Sequence, residues 1–171
     1  AVLLSPQMDA ELMAAAEVLG EFPHGFTTAG HPVGAAVALK TLELITEPGG
    51  IYDNVKKVAP YFQAGLQKFA DNPLVGEARG VGLIGALEIV ADKASKTPFD
   101  EEHQIGEQVV RVAQKNGLIL RPIGAAVIFA PPFIISEAEI DDMFSRTTKV
   151  LDEIEAIVQK NGLRTTAVAA E

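Results

Sequence analysis

A capped segment between residues 135 and 162 constrains the fold of this chain more than any other feature of its sequence. Ser136 and Glu139 form a helix capping box, and Ile135 and Ile140 have the spacing of a hydrophobic staple. Gly162 ends the segment. Six residues recur within it at helical spacing: Ile140, Phe144, Thr147, Leu151, Ile154 and Val158. The pattern predicts a long amphipathic helix that packs one face against the rest of a domain.

The remaining patterns predict further helices and a few short strands. Helices are expected over residues 6–19, 32–46, 51–71 and 100–117, with Ser5 as the cap of the first and Asp100 as the cap of the last. Pro60 lies inside the third helix and predicts a kink or a restart there. Strands are expected over residues 1–4, 83–90, 118–120 and 126–130. This order is typical of an α+β domain, in which a small sheet is covered by packed helices.

Composition excludes several classes of function. With 14 basic and 23 acidic residues the 171-residue chain carries a net charge of -9, which disfavours binding to nucleic acids or anionic membranes. No apolar run approaches the roughly 18 residues of a membrane span. The absence of cysteine excludes a disulfide scaffold, a thiolate metal site and a cysteine nucleophile. It is compatible with a reducing compartment, and we predict a cytoplasmic location.

The segment from Gly80 to Gly85 has the literal form G-x-G-x-x-G, with Asp100 twenty residues after its first glycine. A dinucleotide-binding loop would need a strand before this motif and a helix after it. The residues that follow Gly85 instead form a strand-like run, and Pro98 precedes Asp100. We therefore interpret these glycines as part of a close-packed strand.

The histidines and carboxylates do not form a convincing metal or hydrolase site. His24 and His31 lie seven residues apart without a third ligand at suitable spacing, so hydrogen bonding within the loop is the favoured role. His103 is expected to be solvated. No G-x-S-x-G nucleophile motif is present, and Asp141 and Asp142 are assigned to the solvated face of a helix.

Two features could bind anions. The loop over residues 25–30 (GFTTAG) precedes a helix that begins at Pro32, and its hydroxyl and N–H groups suit a phosphate. An ordinary capped helix entry is the alternative. Arg121 is a lone charge at the end of an apolar run, and its planar guanidinium could hold a substrate carboxylate or form a structural ion pair.

Four ordered segments resemble class III aminotransferases, which are pyridoxal-phosphate (PLP) enzymes of fold type I. Residues 22–33 (FPHGFTTAGHPV) resemble the family segment H-G-x-T-[YF]-x-G-[HN]-P, and three further segments agree in order: residues 75–83, 117–124 and 130–136. The likeness covers about residues 1–160. Thr28 departs from the pattern, since the family usually has Tyr or Phe there.

The resemblance implies a C-terminal part of such an enzyme and hence a fragment of a longer protein. Residues 1–46 would be the end of the large PLP-binding domain with an inter-subunit phosphate loop, 47–163 the small domain, and 164–171 a loose tail. The lysine that forms the Schiff base with PLP is expected upstream of Ala1. Lys40, Lys56 and Lys57 lie outside the family's motifs and are not assigned that role, so this chain alone is expected to be inactive.

The resemblance also implies specific site residues. Thr27 matches the threonine that binds the PLP phosphate of the neighbouring subunit, and Phe26 would flank the same phosphate. Arg121 matches the arginine that holds the substrate carboxylate in the ω-amino acid:pyruvate branch. The expected activity is transfer of an amino group between an amine or ω-amino acid and a keto acid such as pyruvate. A homodimer is implied, and no metal is expected.

Two alternatives to this assignment stay open. The chain could be a non-catalytic small-domain subunit or binding module, which lacks the N-terminal remainder that carries the lysine. It could also belong to another class III branch that handles ornithine-type or γ-aminobutyrate-type substrates, although Arg121 argues against those branches. The sequence does not name the amino donor.

Overall fold

The computed structural model describes residues 3–20 and 29–164 of the chain. The chain divides into two units, Ala1–Glu43 and Leu44–Glu171. The first unit contains helix α1 (Pro6–Leu19), and helix α2 (Pro32–Thr46) begins in it. As predicted, Ser5 caps α1, because its Oγ accepts a hydrogen bond from the Met8 N–H at 3.2 Å. Gly20 ends this helix with a positive φ of 81°.

Helices α1 and α2 contain no buried residue. Among their apolar side chains, Met8 is 54% exposed, Met13 57% and Val37 59%. Surface of this kind is typical of a region that binds a partner. The prediction of a strand over residues 1–4 is wrong for Leu3 and Leu4, which have no regular structure and no sheet partner among the described residues. Ala1 and Val2 lie outside the described residues.

The described part of the second unit holds a sheet and three complete helices, which confirms the predicted α+β class. Its helices are α3 (Ile51–Gln67), α4 (Ile105–Lys115) and α5 (Glu137–Asn161), with short 3-10 helices at Lys68–Asp71 and Glu101–His103. Its strands are β1 (Val75–Val81), β2 (Ile84–Asp92), β3 (Thr97–Pro98), β4 (Arg121–Ile123) and β5 (Ala126–Phe129). The sheet order is β1-β2-β5-β4, all neighbours are antiparallel, and β3 pairs with β2.

All three helices of this unit pack on the same face of the sheet. A Cβ on Gly85 of β2 would lie 3.1 Å from the ring of Phe62, which places α3 on that face. The rings of Phe129 and Phe144 are 6.3 Å apart, so α5 lies on the face to which Phe129 points. The helix α4 approaches the Cβ of Pro122 at Gly106. In the register of the sheet, Pro122 belongs to this same face.

Helix α5 forms as its sequence pattern predicts. The Ser136 N–H donates to Glu139 Oε2 at 2.8 Å, and the Glu139 N–H donates to Ser136 Oγ at 3.3 Å. Gly162 ends the helix with a φ of 60°. Thr147 is buried and its hydroxyl donates to the Met143 carbonyl at 2.9 Å, so the one polar residue of the predicted apolar face is satisfied within the helix.

Three details of the sequence-based prediction are corrected. Helix α3 runs without restart through Pro60 but ends at Gln67, and the rest of the predicted helix, Lys68–Asp71, is a 3-10 helix. Asp100 caps the short 3-10 helix rather than α4, because Gln104 takes a left-handed conformation (φ 45°) between the two. The strand expected over residues 118–120 begins instead at Arg121.

The late start of β4 has a local cause. The Leu118 N–H donates to the Ala113 carbonyl at 2.9 Å and so closes the end of α4. Leu118 and Leu120 are buried in the segment that precedes the strand. Because they are apolar for this reason, the segment has the sequence pattern of a strand. Among the described residues, no helix has both the length and the apolar character needed to cross a membrane.

Candidate functional site

The sheet face opposite the helices carries Arg121, which the sequence singled out, together with three further charged residues: Arg79, Glu77 and Glu88. Arg79, Ala86, Ile128 and Arg121 form one row across β1, β2, β5 and β4. The adjacent row consists of Glu77, Glu88, Ala126 and Ile123. Side chains alternate along a strand, so both rows point away from the helices. We call these eight residues the open face of the sheet.

Arg121 lies exposed at one edge of the open face, as the first residue of β4. Among the described residues no carboxylate lies within ion-pair distance of it, whereas Arg146 and Arg164 each have one and Arg79 has two. Arg111 also has no ion pair there, but it lies on the exposed side of helix α4. Arg121 therefore presents an uncompensated guanidinium on the sheet, which suits an external carboxylate.

The other side of the open face holds a compensated cluster that the sequence analysis missed. Arg79 Nη2 lies 2.9 Å from Glu88 Oε2, and Arg79 Nη1 lies 3.7 Å from Glu77 Oε2. The two side chains of the shorter pair are 47% and 35% exposed. The signal that could have found this pair is a hairpin centred on Gly82, since it would have placed these opposite charges across neighbouring strands.

The predicted phosphate loop is only partly described. Phe26 and Thr27 lie outside the described residues, as does His24. Gly30 follows them with a φ of 70°, and a Cβ there would meet none of the described residues within 4 Å. The Gly34 N–H donates to His31 Nδ1 at 3.4 Å, so His31 caps α2 and has the hydrogen-bonding role that we favoured over a metal ligand.

The glycine motif is a β-hairpin. Gly80 and Gly85 face each other in the β1–β2 ladder, and Gly82 makes the turn with a φ of 59°. A strand, not a helix, follows Gly85, so the dinucleotide-binding loop is excluded and the interpretation as close-packed strand glycines is confirmed. A Cβ on Gly85 would lie 2.6 Å from Leu66 Cδ2, which shows why glycine is needed there.

The carboxylates and lysines considered in the sequence make structural contacts. Although Asp141 lies on the exposed face of α5, it accepts a hydrogen bond from the Tyr61 hydroxyl at 2.6 Å, which raises the pKa of Tyr61. Lys40 pairs with Glu43 at 3.0 Å, and Lys56 pairs with Asp53 at 3.3 Å.

No group of three or more His, Asp or Glu side chains suited to a metal ion occurs within the described ranges. Two of the cavities formed by described residues lie on the helix side of the second unit. One of about 400 Å³ is lined by Tyr61 and Phe144, and the other, of about 460 Å³, by Phe99 and Pro122. Neither is lined by Arg121, which belongs to the open face.

Comparison with known proteins identifies the family. The family model "Aminotransferase class-III" matches residues 5–151. The chain is 42% identical over 139 residues to a putrescine–pyruvate aminotransferase of Pseudomonas aeruginosa, covering 81% of this chain and 30% of that protein. It is 38% identical over 160 residues to the chloroplastic γ-aminobutyrate transaminase 3 of Solanum lycopersicum, covering 94% of this chain and 31% of that protein.

Solved structures agree with this match. A PLP-bound aminotransferase mutant from Vibrio fluvialis aligns with a TM-score of 0.76 at 44% identity, covering 91% of this chain and 34% of that one. An omega-aminotransferase from Paracoccus denitrificans aligns with a TM-score of 0.76 at 45% identity, again over 91% and 34% of the two chains. The chain thus spans about a third of the length of the proteins that it matches. It belongs to the class III aminotransferase family.

Proposed function

We propose that this chain is the C-terminal part of a PLP-dependent aminotransferase that moves an amino group between an amine or ω-amino acid and a keto acid such as pyruvate. The observation that carries the proposal is Arg121, an exposed guanidinium without a carboxylate partner among the described residues. We assign it the role of the family's substrate arginine, which the resemblance of its segment to the family implies. The similarity to a putrescine–pyruvate aminotransferase supports a keto acid as acceptor.

The residues near the start of α2 fit a bound PLP phosphate. No described residue fills the space beside Gly30, and the N-terminal turn of α2 offers a positive dipole end to an anion. We assign Thr27 as the hydroxyl donor to the phosphate and Phe26 as its flanking side chain, both acting on the neighbouring subunit of a homodimer. When bound, PLP supplies the electron sink and the amino-group carrier of transamination.

The role assigned to Arg121 is orientation. Two parallel N–H donors of a guanidinium hold a carboxylate in a fixed plane, and this limits how the rest of the substrate can turn. An amine without a carboxylate has no such contact, so Arg121 must turn aside for it. This side chain has room to do so, because it is exposed and makes no ion pair with the described residues.

The same proposal covers the parts of the protein that this chain does not contain. The Schiff-base lysine and the wall of the substrate pocket are assigned to an N-terminal remainder, and the apolar surfaces of α1 and α2 are suited to be covered by it or by a second subunit. We place the protein in the cytoplasm, since a cysteine-free chain fits a reducing compartment. The similarity to a plant γ-aminobutyrate transaminase supports the γ-aminobutyrate-type branch of the family as the alternative.

Replacement of Arg121 tests the proposed function in the full-length enzyme. γ-Aminobutyrate and putrescine are both four-carbon amines, but only the first has a carboxylate. We expect Arg121→Ala to raise the apparent dissociation constant for γ-aminobutyrate and the KM for pyruvate about 10- to 100-fold, the loss of one charge-assisted hydrogen-bonded contact. The dissociation constant for putrescine, measured in the first half-reaction with donor alone, should change less than about twofold.

Arg111→Ala is the matched control for this experiment. Arg111 is also exposed and has no ion pair with the described residues, but it lies on α4 and not on the open face. Its removal should leave all three constants unchanged. Equal losses for γ-aminobutyrate and putrescine in Arg121→Ala would refute the proposed role of Arg121.

A further inference from the structure

The open face contains a second arginine whose position suggests an effect on substrate choice. We propose that Arg79 is a positioning residue: by holding the Glu88 carboxylate, it keeps that charge from competing with the substrate carboxylate for Arg121. Arg79 would thus set the preference of the enzyme for substrates that carry a carboxylate. The inference rests on the proposed function of Arg121.

Glu88 lies where its carboxylate can compete with a substrate carboxylate for Arg121. Arg121 lies on β4 and Glu88 on β2, two strands apart and in adjacent rows of the same face. Strand spacing and rise per residue put their backbones about 10 Å apart across the sheet and about 7 Å apart along it. Only β5 lies between them, and its residues on this face are uncharged: Ala126 and Ile128.

The side chains bring the two charges closer than the backbones. Arginine and glutamate are both long, and Ala126 is too small to separate them. Their charged groups can therefore approach within a Debye length, which is about 8 Å at physiological salt, so salt does not screen the interaction away. In the structure Glu88 does not pair with Arg121, because its Oε2 lies 2.9 Å from Arg79 Nη2.

Arg79 compensates more than one carboxylate. It also lies 3.7 Å from Glu77, so the cluster of Arg79, Glu77 and Glu88 has a net charge of one negative unit. Without Arg79 two uncompensated carboxylates would remain. Glu88 is the one nearer to Arg121, since Glu77 lies on the edge strand β1, one strand further away. A freed Glu88 would attract Arg121, repel a substrate carboxylate and favour the second ammonium group of a diamine.

The test uses the full-length holoenzyme and the first half-reaction with donor alone. Arg79→Ala should raise the apparent dissociation constant for γ-aminobutyrate about three- to tenfold. An effect of this size is expected when one uncompensated carboxylate, here that of Glu88, lies roughly 10 Å from the substrate carboxylate near a protein surface. The constant for putrescine should stay unchanged or fall, and the limiting rate should stay the same for both. Arg79→Lys keeps the charge and should behave as the wild type, with Tm values showing that all variants fold.

Double variants separate this electrostatic role from a structural one. Glu88→Gln in the Arg79→Ala background should restore γ-aminobutyrate binding, because it removes the competing carboxylate. Glu77→Gln in the same background is the matched control and should restore little. The inference is overturned if Arg79→Ala weakens both donors equally, changes only the limiting rate, or is rescued by Glu77→Gln and not by Glu88→Gln. If Arg121→Ala discriminates between the donors while Arg79→Ala does not, the inference alone fails and the proposed function stands.

Discussion

At the scale of single residues, the cap of α5 couples local structure to pH. The Glu139 carboxylate accepts hydrogen bonds from the N–H and from the hydroxyl of Ser136, and these hold the pKa of Glu139 below its usual value of 4.5. A carboxyl with a lowered pKa in the folded state stabilises the fold above its unfolded pKa. That contribution is lost as the pH falls through the folded pKa.

We expect Ser136→Ala to lower the free energy of unfolding by about 1 kcal/mol at pH 7, which is the usual cost of losing an N-cap hydroxyl. The difference in stability between the two proteins should become smaller as the pH falls through the lowered folded pKa of Glu139, because the wild-type carboxyl is then protonated and no longer gains from the Ser136 hydroxyl. Urea unfolding of both proteins at pH 7 and pH 3 measures the difference.

Ser145→Ala is the control for this substitution, since Ser145 is exposed in the middle of α5. Alanine is the better helix former there, so this variant should be as stable as the wild type or slightly more stable at both pH values. A cost of Ser136→Ala that does not change with pH would contradict the coupling to Glu139.

At the scale of elements, the β1–β2 hairpin depends on glycines that leave room for α3. Gly80 and Gly85 pair across the hairpin, and α3 passes over them on the helix side. Phe62 and Leu66, the α3 side chains that fill this space, are fully buried. The close approach of helix and sheet therefore requires the absence of a side chain at Gly85.

Gly85→Ala should destabilise the protein by about 1–3 kcal/mol through overpacking, because its Cβ would lie 2.6 Å from Leu66 Cδ2 and 3.1 Å from the ring of Phe62. Thermal unfolding followed by circular dichroism measures the effect. Gly34→Ala is the control: it lies in α2, where a Cβ would meet only His31 at 3.9 Å, and alanine favours a helix. Equal stability of the two variants would show that α3 moves to accommodate the added Cβ without a loss of stability.

At the scale of the whole molecule, the core belongs to the second unit. Among the described residues, the buried apolar side chains all lie between Val58 and Val158, and α1 and α2 contribute none of them. Helix α5 supplies several of the residues with almost no exposure, among them Ile140, Leu151 and Ile154. Burial of each such side chain stabilises the fold by roughly 1.5–3 kcal/mol, which is large beside a total stability of about 5–15 kcal/mol.

Residues 47–164 produced alone should therefore fold cooperatively, with a single thermal transition and a native near-ultraviolet circular dichroism spectrum. The matched truncation 47–150 removes Leu151, Ile154 and Val158 and should not fold, since these buried side chains account for much of the expected stability. If 47–164 is unfolded, the second unit depends on residues before 47 or after 164, and the core described above is incomplete.

Several parts of this structure can be read from neighbouring residues alone. Ser5 before Pro6 marks the start of α1, and the capping box with Gly162 marks both ends of α5. These predictions succeed because a cap satisfies backbone groups within a few residues of itself. Arg121 could be singled out in the same way, as a lone charge in an apolar stretch matching a family motif.

Other features depend on contacts between distant segments. Arg79 of β1 and Arg121 of β4 share one face of the sheet only because β2 pairs with β5. The ion pair of Arg79 with Glu88 requires the register of the hairpin, in which these residues lie on neighbouring strands. None of this can be obtained from propensity, which is a property of a short window.

The sequence by itself determined the α+β class, the principal helices and the family of this chain, because periodicity, caps and ordered motifs are encoded in residues close to one another. Only the tertiary structure decided that the glycine motif is a hairpin and that the helices cover one face of the sheet. It also decided that Arg121 shares the other face with Arg79 and Glu88. The physical reason is that strand pairing joins residues far apart in the chain, and the sheet face on which each charge lies is set by register.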